Sequence, residues 1–282
     1  MNTDVSVDGA CGLAPWFAEV EDTLSRFDPR SSLSQLNRNQ GRWTLVPLLL
    51  LRAVQAALKA AAVTGGAFDP TILDALEAAG YSRSFELGPA EPAQGPATPA
   101  GRWAEVQIAQ GIGAIWLPIG VRLDLGGIGK GLAVDGAMSR ARTLPRVLIN
   151  AGGDIALRTA ADDPPILVDV EDPFDPERTL ATFALHQGAV ATSSTMGRRW
   201  GAGVHHIIDP RTGRPSASGL VAATVIAPTA VRAEVLAKAC IVLGPLKAQR
   251  LLRTTGCHGL LMTEHRMMLH TPGMEVNLHA ES

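Results

Sequence analysis

Asp124-Leu125-Gly126-Gly127-Ile128-Gly129-Lys130-Gly131 is the stretch of this chain best suited to hold a charged ligand. Glycines let a backbone take positive φ and come close to a bound molecule. Amides at the start of a helix favour an anion, most often phosphate. Lys130 adds a mobile positive charge beside them. The run is neither of the common nucleotide loops. A P-loop carries Ser or Thr after Gly-Lys, where Gly131 stands, and the dinucleotide fingerprint carries Gly three residues after Gly129, where Leu132 stands. A phosphate seat and a turn that merely lets a strand and a helix pack closely are both open on these residues alone.

Three further stretches carry residues of the same kind. Gly65-Gly66-Ala67-Phe68-Asp69-Pro70 sets two glycines and a carboxylate after a helix, and also reads as a helix C-cap followed by an Asp-Pro turn. Asn150-Ala151-Gly152-Gly153-Asp154 puts two glycines between strands, as a hairpin turn or a close backbone approach. Ala191-Thr192-Ser193-Ser194-Thr195 offers hydroxyls for phosphate. It precedes His205-His206-Ile207-Ile208-Asp209-Pro210-Arg211-Thr212-Gly213-Arg214-Pro215, which ends in turn chemistry. Consecutive histidines on a strand point to opposite sides, so only one of His205 and His206 can face a site. No Gly-x-Ser-x-Gly elbow or Cys-His arrangement points to acyl transfer, and no His-Cys spacing points to zinc.

Periodicity places these stretches on elements. Val121, Leu123 and Leu125 alternate with Arg122 and Asp124, which predicts a strand leading into the glycines. Ala133, Ala137, Ala141 and Leu144 predict the helix that follows. A first strand is expected over 3–7. Trp16, Phe17, Val20, Leu24 and Phe27 mark a helix ended by the turn residues Asp28 to Ser32. Pro47 suits the first turn of a second helix and Gly65-Gly66 its end, with Leu51, Val54, Leu58 and Ala62 as its buried face. A third helix, 72–79, stops at Gly80. Residues 88–101 are rich in Pro, Ala and Gly and read as an exposed loop. Strands are expected at 146–150, 154–158, 166–170, 180–185, 189–193, 205–208 and 220–226. Helices are expected at 232–243 and 246–254, and a closing hairpin at 259–263 and 266–270. Strands and helices mix without regular βαβ alternation, so the fold class is α+β rather than a doubly wound sheet.

The chain has 282 residues, 46% hydrophobic and 18% charged, which describes a globular protein and not a disordered one. A net charge of −2 argues against a general nucleic-acid or anionic-membrane binder. Cys11, Cys240 and Cys257 form no CxxC pair, as expected in a reducing compartment. The first twelve residues lack a basic and an apolar segment of the signal-peptide kind. Cytoplasmic action is the expectation, with export by another route left open. The densest apolar run, Leu48 to Leu51, is broken by Arg52, Gln55 and Lys59, so no integral membrane segment is expected.

The order of the motifs is more specific than any one of them, and together they resemble the FAD:protein FMN transferase family, known as ApbE. Met1-Asn2-Thr3 resembles the Met-Gly-Thr of the family's first strand. Leu24 to Asn37 resembles its FS-x-Y-x-x-x-S-x-L-x-x-L-N segment. Gly66 to Thr71, Asp124 to Gly131, Asn150 to Asp154 and His206 to Pro210 follow in family order. The resemblance covers about residues 1–270. It implies a single ApbE-like domain over 1–282, made of two interlocked α/β lobes with a flavin cleft between them. It also implies FAD as substrate, Mg²⁺ as the assisting ion, and a target flavoprotein whose Thr or Ser hydroxyl takes FMN while AMP leaves. Pyrophosphate cleavage depends on charge neutralisation and in-line positioning more than on a protein nucleophile, and the glycine turns, Lys130 and the hydroxyls are suitable parts.

Carried over by position, Phe27 stands where the family has a flavin-contacting tyrosine. Met1, Ala67, Phe68 and Asp69 would border FAD, Asp124 would hydrogen-bond it, and Lys130 would lie near it. His206, as the catalytic residue, and Ile207 would line the reacting end. The Gly127 carbonyl and Glu234 would hold the metal. One departure stands out. The family's Ala-Asp-x-x-x-Thr, whose Asp and Thr bind Mg²⁺, reads here Ala233-Glu234-Val235-Leu236-Ala237-Lys238. Glu can bind Mg²⁺, but an ammonium has no lone pair to give. Glu234 and Lys238 also fit a helix-surface ion pair worth about 0.2–0.5 kcal/mol. A non-catalytic FAD-binding protein and an FAD pyrophosphatase are therefore the alternatives to the transferase.

Overall fold

In chain order, the computed structural model of the protein gives β1 (Val5–Asp8), α1 (Ala14–Leu24), α2 (Ser32–Arg38), β2 (Trp43–Leu45), α3 (Leu48–Val63) and α4 (Leu73–Ala78). Then come β3 (Gln107–Ala109), β4 (Ala114–Trp116), α5 (Gly129–Arg140), β5 (Val147–Ala151), β6 (Asp154–Arg158), β7 (Ile166–Asp172), β8 (Asp175–Leu185) and β9 (Gln187–Ser194). β10 (Arg199–Trp200), β11 (Val204–His205), β12 (Ile208–Asp209), β13 (Arg214–Pro215), β14 (Leu220–Ala227), α6 (Ala230–Leu243), α7 (Pro245–Thr255), β15 (His258–Thr263), β16 (Met268–His270) and β17 (Asn277–Leu278) complete the order. The structure describes residues 4–8, 12–84, 87–88, 90–91, 100–200, 203–272, 274 and 277–278. Met1, Cys11 and most of the 88–101 loop lie outside them. The chain divides into two compact units. Met1–Asn2, Ala14–Gly129 and Arg198–Ser216 belong to one, and Thr3–Leu13, Lys130–Gly197 and Ala217–Ser282 to the other.

In the first unit, Pro47 precedes α3 at φ −57°, already set for a helix. Gly65 and Gly66 end it with positive φ, the Gly66 amide donating to the Ala61 carbonyl at 2.8 Å. Its buried stripe is Leu50, Leu51, Ala53, Val54, Ala57 and Ala61. The expected Ala62 is exposed and Leu58 only half-buried. The expected strand at 121–125 is absent. Those residues pair with no strand among the described residues. The Asn37 side chain takes the partner's place: its Nδ2 donates to the Leu123 carbonyl and its Oδ1 accepts from the Leu123 amide, both at 2.8 Å. The Asp124 amide donates to the Pro70 carbonyl at 2.8 Å. Asn37 ends up there because α2, not foreseen from the sequence, follows the Asp28 turn and is capped by Ser31 Oγ accepting from the Ser34 amide. The sheet β2-β4-β3 has three-residue strands, too short to show an alternation.

In the second unit, β1-β5-β6-β9-β14-β15-β16 form one sheet, antiparallel throughout. The hairpin β7–β8, edged by β17, packs on one of its faces. Ile166, Val168, Val170 and Phe183 meet Leu157, Val190, Leu260 and Met262 there. Each such side chain contributes about 1.5–3 kcal/mol by leaving water. α6 packs against β14, β9 and β6. Ala189, Ala191 and Ala223, all fully buried, keep those strands low enough for it. α6 is apolar nearly all round and buried nearly all round. Among the described residues no helix is long and apolar enough to cross a membrane.

Candidate functional site

The first unit gathers two of the expected residues, Phe27 and Asp124, around one that the sequence did not single out, Arg26. Its Nε lies 2.7 Å from Asp124 Oδ2, and both side chains are buried. Its Nη2 donates to the Tyr81 carbonyl at 2.7 Å. The guanidinium lies 4.1 Å from the Phe27 ring centre and 4.7 Å from that of Tyr81. The other Asp124 oxygen accepts from the Gly126 amide at 2.9 Å, which shapes the turn before α5. Phe27 remains 38% exposed, so part of its ring can meet a ligand. In the Gly-Ala-Phe-Asp turn, Ala67 and Phe68 are buried. Asp69 Oδ1 accepts from the Thr71 amide at 2.7 Å and the Thr71 hydroxyl at 2.6 Å. Its Oδ2 is buried with no hydrogen-bond partner among the described residues. Burial raises the Asp69 pKa above the usual carboxylate value, against the Thr71 and Gly101 donors that lower it. Gly127 is half-buried in the turn that leads into α5.

The expected strand 205–208 is broken into β11 and β12, each two residues long, with His206 and Ile207 between them. His205 is the inward histidine: its Nε2 lies 3.0 Å from the Ser216 carbonyl, and its Nδ1 accepts from the Ile207 amide. His206 is half-buried, its Nδ1 3.4 Å from the Arg198 carbonyl, and Ile207 is buried. Burial depresses the His205 pKa below its ordinary 6.5. Below that value the unfolded chain takes a proton that the folded ring resists. This part of the stability is full above the unfolded value and falls away as pH drops through it. Urea midpoints taken at about pH 8 and about pH 5 should differ less in His205→Gln than in the wild type.

The second unit holds a four-charge cluster at the start of α5. Lys130 Nζ lies 2.8 Å from Asp154 Oδ2, an ion pair without an aligned hydrogen bond, and 3.3 Å from the Gly152 carbonyl. The carbonyl is presented by the two-residue turn Gly152-Gly153, at φ +58° and +87°, which closes the β5–β6 hairpin. Lys238 Nζ lies 2.9 Å from Glu234 Oε1, and Glu234 Oε2 accepts from the Gly131 amide at 2.8 Å. The ion pair expected from the i,i+4 spacing forms, but not on a helix surface: Glu234 is 0% exposed. Burial and the Glu234 charge push Asp154 up to about 7. Burial would raise Glu234 as well, but the Lys238 and Lys130 charges and the Gly131 amide hold it below the ordinary value.

Gly131 also explains the motif's last position. A Cβ there would sit 2.7 Å from the Val231 backbone and 2.8 Å from Ala230 C, closer than real Cβ atoms come. Asp135 fastens the same junction, accepting from the Ala230 and Val231 amides at 2.8 and 3.0 Å. Gly131→Ala should therefore cost about 1–3 kcal/mol in urea unfolding, because backbone cannot swing aside.

Over residues 1–261 the sequence matches the ApbE family. The chain belongs to the ApbE family. It is 30% identical over 247 residues to the FAD:protein FMN transferase of Salmonella typhimurium, covering 83% of this chain and 70% of that protein. It is 29% identical over 261 residues to the enzyme of that name from Treponema pallidum, covering 83% and 71%. The crystal structure of the ApbE protein from Thermotoga maritima superposes with a TM-score of 0.81 at 27% identity, over 95% of this chain and 92% of that one. This ApbE-family chain thus has the expected mixed helix-and-sheet fold. The Mg²⁺ that the resemblance implies does not fit the residues present. Mg²⁺ needs near-octahedral oxygen ligands at about 2.0–2.1 Å. Both Glu234 oxygens already face donors, Lys238 offers no lone pair, and among the described residues no three His, Cys, Asp or Glu form a metal-holding group.

Proposed function

We propose that this ApbE-family enzyme moves the FMN half of FAD onto a Thr or Ser hydroxyl of a target flavoprotein. The match to the family over residues 1–261, which spans every glycine-rich motif, carries this reading. In the reaction the acceptor oxygen bonds to the FMN phosphorus, the bond from that phosphorus to the oxygen shared with AMP breaks, and AMP leaves. On the first unit, Phe27 offers a ring face to the flavin, in keeping with its partial exposure. Asp69 Oδ2, buried and without a hydrogen-bond partner among the described residues, suits a hydroxyl donor of FAD. Ala67, Phe68 and Asp124 border the same ligand, Asp124 held in place by Arg26. His206 is half-buried, its Nδ1 3.4 Å from the Arg198 carbonyl. We assign its imidazole to the proton released by the acceptor hydroxyl. On the second unit, Lys130 meets phosphate charge.

The test is incubation of the full chain with FAD and an acceptor domain bearing an Asp-x-x-(Ser/Thr)-Gly-Ala-Thr-like segment, with the Salmonella typhimurium enzyme alongside. Flavin fluorescence should stay with the denatured acceptor and AMP should appear in equal amount. The Lys238–Glu234 pair favours one second reading, a protein that binds FAD without turning it over. FAD binding with no AMP would decide for that reading. AMP and free FMN without any acceptor would mark a pyrophosphatase.

A further inference from the structure

We propose that the Lys238 ammonium stands in this chain where a divalent cation would stand, closing Glu234 to Mg²⁺, so that FAD binds without a metal ion. The choice of ligand rests on the transferase reading; the exclusion of metal does not. Three observations carry it. Both oxygens of the buried Glu234 carboxylate are taken, one by Lys238 Nζ at 2.9 Å and one by the Gly131 amide at 2.8 Å. The next carboxylate of the cluster, Asp154, already faces the Lys130 ammonium at 2.8 Å. An incoming cation would have to displace an ammonium to find a ligand. The third observation is the way the cluster is turned. The carboxylates of Glu234 and Asp154 are 0% and 1% exposed, while the side chains of Lys238 and Lys130 are 18% and 20% exposed. Two acids face two bases, yet only the bases reach solvent. The cluster therefore shows positive charge outward, which suits a diphosphate and repels a metal ion. A lysine, unlike a bound metal ion, cannot be stripped away by a chelator.

Two measurements on the full chain test this. Mn²⁺ alone, followed by electron paramagnetic resonance, should remain free in the wild type at concentrations that load Lys238→Thr combined with Glu234→Asp. Bound Mn²⁺ in the wild type, displaced by Mg²⁺ and abolished in Glu234→Gln, overturns the proposal. FAD titrated calorimetrically in EDTA and in excess Mg²⁺ should give dissociation constants within about threefold of each other. A tightening of tenfold or more on adding Mg²⁺ overturns it. Lys238→Arg, which keeps the charge, should bind FAD without metal, whereas Lys238→Met should bind at least tenfold more weakly in either buffer. No heat with FAD in either buffer sinks the flavin reading, and the Mn²⁺ measurement then decides the metal claim by itself.

Discussion

Lys238→Met is expected to lower the free energy of unfolding by about 3–5 kcal/mol, because it leaves a buried carboxylate without its counter-charge. Glu234 is enclosed by α6's own neighbours, and once Lys238 is gone its remaining direct contact is the Gly131 amide. The side chain must then take up a proton or draw in water, and both disturb the junction of α5 with α6. A second substitution separates the cost of stranding the charge from the worth of the pair. Glu234→Gln together with Lys238→Met removes both charges and keeps the shape of the site, and should recover most of the loss. Urea unfolding of the wild type, both single variants and the double variant measures this. A midpoint unchanged in Lys238→Met would mean that Glu234 carries no buried charge, and the account of the cluster would fail with it.

Arg26→Met should be of similar size, about 3–5 kcal/mol, for the same reason in the other unit. Arg26 does three things at once: it neutralises Asp124, donates to the Tyr81 carbonyl, and lies against the rings of both Phe27 and Tyr81. Arg26→Lys keeps the charge but loses the planar fork and much of the stacking, so it should recover part of the loss. On the proposed function, Arg26→Met should weaken FAD binding beyond any loss of folded protein, since Asp124 and Phe27 would no longer be held. Calorimetry on the folded fraction, judged by circular dichroism, checks this; unchanged affinity would remove Asp124 and Phe27 from the binding surface.

The glycine motifs were legible because positive φ and close backbone approach leave few alternatives to glycine. The Gly152-Gly153 hairpin and the helix end at Gly65-Gly66 follow directly. Most second-unit strands were legible too, because long strands with one buried face show their period, as β7 does. The failures share a cause. The alternation at 121–125 reports burial on alternate sides, which a strand would produce, but here a single amide side chain far along the chain satisfies the backbone. Short strands such as β2 and β11 carry too few residues to show a period. Arg26 could not be found, because what makes it matter is Asp124, nearly a hundred residues away. The Glu234–Lys238 spacing was legible as a pair, but its burial was not. That follows from α6 being apolar on every side, a property of the whole helix rather than of two positions.

The sheet order has a consequence for how the protein is made. β1, near the start of the chain, finds its partner only at β5, with Val5 opposite Ala151, while β14, at the other side of β9, follows a later return through the first unit. A ribosome delivering this chain from the N-terminus releases the opening strand long before anything exists for it to bond. The β5–β6 and β7–β8 hairpins can form as they emerge, but the sheet is complete only once β14, β15 and β16 have followed. Such long-range pairing slows folding and leaves a strand edge open to aggregation meanwhile.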